Sequence, residues 1–199
     1  MHDLSLHILD IVENSINAKA TRVEILIEED LVKDRLRITI IDNGVGMDSK
    51  LIPKITDPFA TTRTCRKVGL GLSLLKTRAK QCHGDVTISS CLGKGTTVEA
   101  FFQYGNVDRP PLGDIASTVL CIISANPSLD VIYKHRVGDM VYQLDTRKIK
   151  KLAGECYFKN KGVLALISKD IKRGLCALKK ERKKVFKKVF GYVPKVDLV

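Results

Sequence analysis

The chain has no apolar run approaching the roughly 18–20 residues that a bilayer-spanning helix requires. Its first residues, MHDLSLHILDIVENS, carry carboxylates within the apolar stretch and no basic leading segment, so they are not expected to act as a signal peptide. It has no CxxC pair. The six cysteines at 65, 82, 91, 121, 156 and 176 are scattered, which argues against a disulfide framework and against paired zinc ligands. We read them as reduced thiols of a cytoplasmic protein, with Cys121, Cys156 and Cys176 in the core. Hydrophobic residues make up 44% of the chain and aromatics only 6% of it, so the core must come mainly from Ile, Leu and Val. No Gly-Lys-Ser/Thr phosphate loop occurs, and the one glycine-rich helix start is not followed by a long βαβ unit, which excludes the Walker and dinucleotide fingerprints. There is no internal repeat and no nameable RNA- or DNA-binding motif.

What is present fits one good-sized domain, or a domain with a smaller appendage, in 199 residues. The formal charge of +12 is unevenly placed. From Lys159 to Val199, thirteen Lys and Arg face three acids, Asp170, Glu181 and Asp197, so a nearly neutral body carries a strongly basic tail. Helical spacing of Leu4, Ile8, Ile11, Val12 and Ile16 predicts a helix over about 3–19. Alternation predicts strands at Thr21–Glu28 and Arg35–Asp42, then an irregular stretch to Val68 with a short helix near Ser49–Thr56. A helix over Leu70–Cys82, with Gly84 as its C-cap, precedes strands at Asp85–Ser90 and Thr96–Tyr104. This order predicts helices over one face of a mixed sheet. The paired prolines of Asn106–Gly113 mark a boundary, and a long helix returns from Gly162 to Phe190 with Leu164, Ile167, Ile171, Leu175, Leu178, Val185 and Val189 on one stripe.

Four polar or glycine-bearing clusters follow in order. DIVEN at 10–14 places Asp10 and Asn14 one helical turn apart, where a carboxylate and a carboxamide can orient a water and a hydrated Mg²⁺. The same pair also describes a solvated helix face. DNGVGM at 42–47 follows a strand: Asp42 can accept from an amino group such as adenine N6, while Gly44 and Gly46 admit a flat base. An ordinary turn has the same composition. KVGLGL at 67–72 opens a helix whose free N–H groups favour phosphate, or simply marks close packing. GKGTT at 93–97 alone is a hairpin signal.

Jointly and in this order the clusters resemble the GHKL superfamily of ATPases, which includes gyrase-type topoisomerases, the large heat-shock chaperone, sensor histidine kinases and MutL. HILDIVENSINAKATRVEI is similar to its N box, and DNGVGM, VGLGLSLLK and GKGTTVEAFF to its three glycine boxes. The resemblance implies a Bergerat fold, a two-layer α/β sandwich whose mixed sheet carries helices on one face, with ATP between the layers. It implies a nucleotide site built from Asn14, Asn17, Asp42, Gly44, Gly46, Met47, Thr61, Thr62, Lys67, Gly69, Leu70, Gly71, Leu72 and Thr96, with Asn14 holding Mg²⁺ and Asp10 in the catalytic position. DPFATT at 57–62 resembles histidine kinases, whereas ENSINAKATRVEI is closer to MutL. ATP-hydrolysing relatives carry Glu where Asp10 stands, and the expectation is a protein without the phosphoacceptor hairpin of a sensor kinase. His7 reads as a packing residue or a helix-face group.

The expectation is a stand-alone, cytoplasmic Mg²⁺-ATP-binding protein: residues 1–105 bind nucleotide, 106–158 form a small α/β extension, and 159–199 form a basic amphipathic helical tail. It would phosphorylate a partner protein, as anti-sigma-factor kinases do, or hydrolyse ATP slowly. The rival readings are an ATP-gated binding module without turnover and a MutL-like, nucleic-acid-associated ATPase. The tail would lie on nucleic acid, on an anionic membrane surface, or on its own protein. The oligomeric state is left open.

Overall fold

The computed structural model describes residues 3–56, 71–153 and 161–192. Helix α1 (Leu4–Asn17) starts on Asp3, whose carboxylate accepts from the Leu6 N–H at 3.1 Å, and buries Leu4, Ile8, Ile11 and Val12 at helical spacing. Strands β1 (Arg22–Asp30) and β2 (Arg35–Asp42) bury every second residue, Val23, Ile25 and Ile27 in the first and Leu36, Ile38 and Ile40 in the second. The short helix expected near Ser49–Thr56 is a 3₁₀ turn, Ser49–Leu51, running into α2 (Ile52–Thr56).

Helix α3 (Gly71–Gln81) leads to β3 (Asp85–Cys91) and β4 (Gly95–Gln103). The stop of α3 differs from expectation. His83, not Gly84, takes the left-handed conformation (φ 53°), while the Gly84 N–H returns to the Ala79 carbonyl at 2.8 Å. Gly84 is needed for a different reason: a Cβ there would overlap the Phe101 carbonyl of β4.

Helix α4 (Ile115–Ala125), β5 (Asp130–Val137), β6 (Met140–Asp145), α5 (Thr146–Ala153) and α6 (Lys161–Phe190) follow. The six-stranded sheet has the order β3-β4-β2-β1-β5-β6, parallel only between β1 and β5. The segment read as a small α/β extension therefore lengthens the sheet itself. The proline-rich boundary folds back onto the start of α1, with the Leu4 N–H donating to the Pro111 carbonyl at 2.9 Å and Leu112 buried.

Helix α3 packs on β3 and β4, α1 on β2, α4 between α1 and α6, and α6 on β5 and β6. This row of helices covers one face of the sheet, the two-layer α/β sandwich of a Bergerat fold. The opposite face carries Glu28, Arg37 and Arg136, paired across strands at 2.8–3.8 Å. The basic tail helix is thus packed on its own protein. Ile167, Ile171 and Leu178 are buried and Leu164, Leu175 and Val185 partly so, but Val189 at the end of the expected stripe is exposed. Cys121 and Cys176 are exposed rather than in the core, because both lie on the outward sides of their helices; Cys156 falls outside the described residues.

Beneath α6 the β1 register places Glu29 on the buried face, where its side chain is 1% exposed. Its carboxylate accepts from Arg182 Nε and Nη2 (2.6 and 2.5 Å), from the Tyr104 hydroxyl (3.0 Å) and from His135 Nε2 (2.7 Å). The Tyr133 hydroxyl and His135 Nδ1 share a hydrogen bond at 2.8 Å. Burial alone would raise the Glu29 carboxyl. The hydrogen bond from His135 and the Arg182 guanidinium outweigh burial and hold it at about 2.

Candidate functional site

A strand that ends in Asp42 and turns sharply needs its loop pinned, and the sequence supplies the pins. Asn43 Oδ1 accepts from the Thr21 and Arg22 N–H groups (2.9 and 2.8 Å), and the Val45 N–H donates to the Ala18 carbonyl at the end of α1 (2.9 Å). Gly46 has φ +66°, and a Cβ there would run into the Cys91 carbonyl. Gly95, with φ +94°, lets β4 approach the Asp42 and Asn43 backbone closely enough that a Cβ would overlap it. The glycines of the first and third boxes thus bring one loop against one hairpin.

Between α1, β2, β4 and the start of α3 lies a cavity of about 330 Å³, within the range of small-molecule sites. Ile11, Val45, Met47, Leu72 and Val98 give it apolar walls. Asn14, Ser15, Asn17, Asp42 and Thr96 supply its polar groups. An apolar slot with one carboxylate suits a flat heteroaromatic ring that donates a hydrogen bond.

Asp42 is 8% exposed and held from three sides. Its Oδ1 accepts from the Gly44 N–H (2.8 Å) and the Thr96 N–H (3.2 Å), and its Oδ2 from the Ser15 hydroxyl (2.9 Å). Ser90 ties the floor together: its hydroxyl accepts from the Met47 N–H (2.8 Å), lies 2.9 Å from Thr96 Oγ1, and donates to the Gly95 carbonyl (3.0 Å). Sequence reasoning did not single out Ser15 or Ser90. The signal for Ser15 was its position one turn after Ile11 on the buried face of α1, where a hydroxyl needs a partner.

The structure thus gathers Asn14, Asn17, Asp42, Gly46, Met47, Leu72 and Thr96 around one cavity, with Gly44 bonded to Asp42 beside it. Asp10 is not among the lining residues. It lies against the first residue of α3, so that a Cβ on Gly71 would overlap its carboxylate. Asp10 Oδ2 and Asn14 Nδ2 are buried polar atoms with no hydrogen-bond partner among the described residues. Burial, and then the charge of Glu13, pushes the Asp10 carboxyl above its ordinary range. Thr61, Thr62, Lys67, Gly69 and Leu70 lie outside the described residues. His7 is buried among Leu4, Ile8, Ile11 and Leu75, and burial lowers its pKa, so it packs as a core residue rather than on an open helix face.

The family described as histidine kinase-, DNA gyrase B- and HSP90-like ATPase matches residues 2–106. A protein of Shewanella frigidimarina named for a sensor role is 37% identical over 103 residues, which are 51% of this chain and 16% of that protein. The signal transduction histidine-protein kinase AtoS of Escherichia coli is 37% identical over 91 residues, 45% of this chain and 15% of that one. The chain thus spans about a sixth of the length of these curated relatives. Among solved structures, the Aquifex aeolicus MutL ATPase domain complexed with ADP aligns with a TM-score of 0.49 and 17% identity, covering 78% of this chain and 68% of that one. Among the described residues no helix is long and apolar enough to cross a membrane.

Proposed function

The chain belongs to the histidine kinase-, DNA gyrase B- and HSP90-like ATPases through residues 2–106, and on that premise we propose that its cavity binds Mg²⁺-ATP for phosphoryl transfer to a partner protein or for slow hydrolysis. The observation that carries this reading is the pairing of a buried, three-times-bonded Asp42 at the cavity wall with two unpartnered polar atoms, on Asp10 and Asn14, one helical turn apart. Nucleotide binding is assigned to residues 1–105. Residues 106–158 complete the sheet, and 159–199 carry the basic helix.

Asp42 accepts from the adenine amino group, while Val45, Met47, Leu72 and Val98 clasp the ring. Gly44 and Gly46 let the loop close against the Ala18 and Cys91 carbonyls, where a Cβ would intrude, rather than clearing the base plane as the sequence suggests, and Asn17 and Thr96 complete the wall. The α3 start, with Gly71, meets the phosphates; Thr61, Thr62, Lys67, Gly69 and Leu70, outside the described residues, are assigned to the same role by the sequence resemblance alone. The donor set fits Mg²⁺: nothing among the described residues pins the Asn14 carboxamide, so its oxygen is available to a hard cation that prefers oxygen ligands. When bound, the ion would neutralise charge on the phosphates. The raised carboxyl of Asp10 accepts a proton from the attacking water or hydroxyl.

An anionic partner, nucleic acid or an anionic membrane surface, meets the lysine-bearing face of α6. The enzymatic reading is tested by turnover of ATP with Mg²⁺ by the purified chain, in wild type and Asp10→Asn. A general base contributes about 10²–10⁴-fold, so Asp10→Asn should lose at least about a hundredfold in rate with ATP affinity kept. Equal rates exclude Asp10 as the base. Affinity without any turnover or transfer leaves an ATP-gated binding module.

A further inference from the structure

Helix α6 turns two different faces to its surroundings. Its apolar stripe, Val163, Ile167, Ile171 and Leu178, is buried over β5 and β6. Between Lys169 and Lys188 every exposed position is Lys or Arg except Cys176. Lys169, Lys172, Lys180, Lys183, Lys187 and Lys188 form no salt bridge among the described residues. Arg173 and Lys184 on the same side pair only with their own helix, at Asp170 and Glu181. At 100° per residue these positions, apart from Lys188 at the margin, fall within about a third of the helix circumference. From Lys169 to Lys187 the row is about 27 Å long at a rise of about 1.5 Å per residue.

The helix that carries this row is anchored. Arg182, within the run of lysines, points inward to the buried Glu29, and a Cβ on Gly174 would overlap the Tyr142 ring of β6, so the helix backbone lies directly on that ring. The cations are therefore carried on one fixed face, a band about a third of the helix circumference wide.

We infer that this face of α6 binds the phosphate backbone of duplex nucleic acid without reading its sequence. This deepens the anionic-partner reading above and is independent of the nucleotide site. A band of point charges along one helix face matches a linear polyanion. A membrane-surface helix needs an apolar face to insert, and here that face is spent on the sheet. Single strands are held by aromatic platforms spaced along the groove, whereas the exposed aromatics here, Phe190 and Tyr192, stand together past the end of the row and none lies within it from 169 to 188. The row is dominated by lysine, a point charge suited to phosphate, and its one exposed forked side chain, Arg173, is tied to Asp170.

The test uses the full chain and labelled duplex DNA of about two helical turns in two unrelated sequences, across a salt series. Single-stranded DNA, polyglutamate, and phosphatidylcholine vesicles containing phosphatidylserine are the competing probes. Equal affinity for both duplexes, falling steeply with salt, is expected. K180E/K183E/K187E should lower duplex affinity at least about tenfold and reduce the slope of log K against log salt by about three. The same positions changed to Gln give a milder loss in the same order. K33E/K80E/K134E, with the same net charge, should bind as wild type. The inference is overturned if this control loses as much as the row variant, if the row variant binds duplex normally, or if vesicles, polyglutamate or single strands bind better than duplex. Loss of duplex binding with ATP binding intact in the row variant, and the reverse in Asp42→Asn, keeps this surface and the nucleotide site separately testable.

Discussion

Replacing Arg182 with methionine keeps much of the side-chain volume but removes both hydrogen bonds, at 2.6 and 2.5 Å, that the guanidinium gives Glu29. The carboxylate, 1% exposed, would be left with His135 and Tyr104 alone. Its displacement from 4.5 to about 2 corresponds to about 3 kcal/mol in favour of the ionised form within the fold. Removing one member of a buried pair typically costs about 3–5 kcal/mol, because the remaining charge is stranded. We therefore expect Arg182→Met to lose about 3 kcal/mol in urea denaturation of the full chain, followed by circular dichroism. Glu29→Gln combined with Arg182→Met should lose clearly less than the sum of the single changes, since a neutral amide needs no counter-charge. The pH sign follows from the direction of the shift. The folded pKa lies below the unfolded one, so the contribution is complete above about pH 5 and is lost as pH falls toward about 2. Wild-type stability should fall through that window and Glu29→Gln should be flatter in it. A loss under about 1 kcal/mol for Arg182→Met, with an unchanged acid profile in Glu29→Gln, would refute the reasoning.

Two further outcomes concern the nucleotide site. Because burial raises the Asp10 carboxyl, the basic form is gained as pH rises through that elevated value, so turnover should climb over the same limb and the limb should vanish in Asp10→Asn; pH-dependent steady-state rates check this. Gly71→Ala should displace the Asp10 carboxylate that its Cβ would overlap, cutting turnover at least about tenfold while leaving adenine contacts in place. Steady-state rates beside an ATP titration separate the two effects.

Much of this fold was legible because each element obeys one strong period. The β2 strand was expected at Arg35–Asp42 and occurs there, since its alternation is uninterrupted, and α6 shifts by one residue at its start. What was not legible depended on pairing across long sequence distances. Nothing local tells β5 that it runs parallel beside β1, and Glu29 reads as a surface acid until His135 and Arg182 arrive from distant segments. At the site, the glycines and Asp42 stood out because their residue types are restrictive. Ser15 and Ser90 did not, because a serine on a helix or strand announces nothing until its partner is known. Likewise the reason for Gly84 is a neighbouring strand rather than its own backbone angle.

The central claim is that Asp42 faces the adenine of a bound ATP. In Asp42→Asn the remaining amide oxygen can still accept from the Gly44 and Thr96 N–H groups, and the new amino group can donate to Ser15, so the wall survives. What changes is the face toward the base, where a donor now meets the adenine amino group. A hydrogen bond to a charged acceptor is worth about 1.5–3 kcal/mol, or roughly a 10- to 150-fold loss of affinity. Calorimetric titration of ATP with Mg²⁺ into the two proteins measures this directly. Saturable binding to wild type at one site, weakened by that factor in Asp42→Asn with melting unchanged, is the predicted result; no binding to wild type, or equal binding to both, contradicts it.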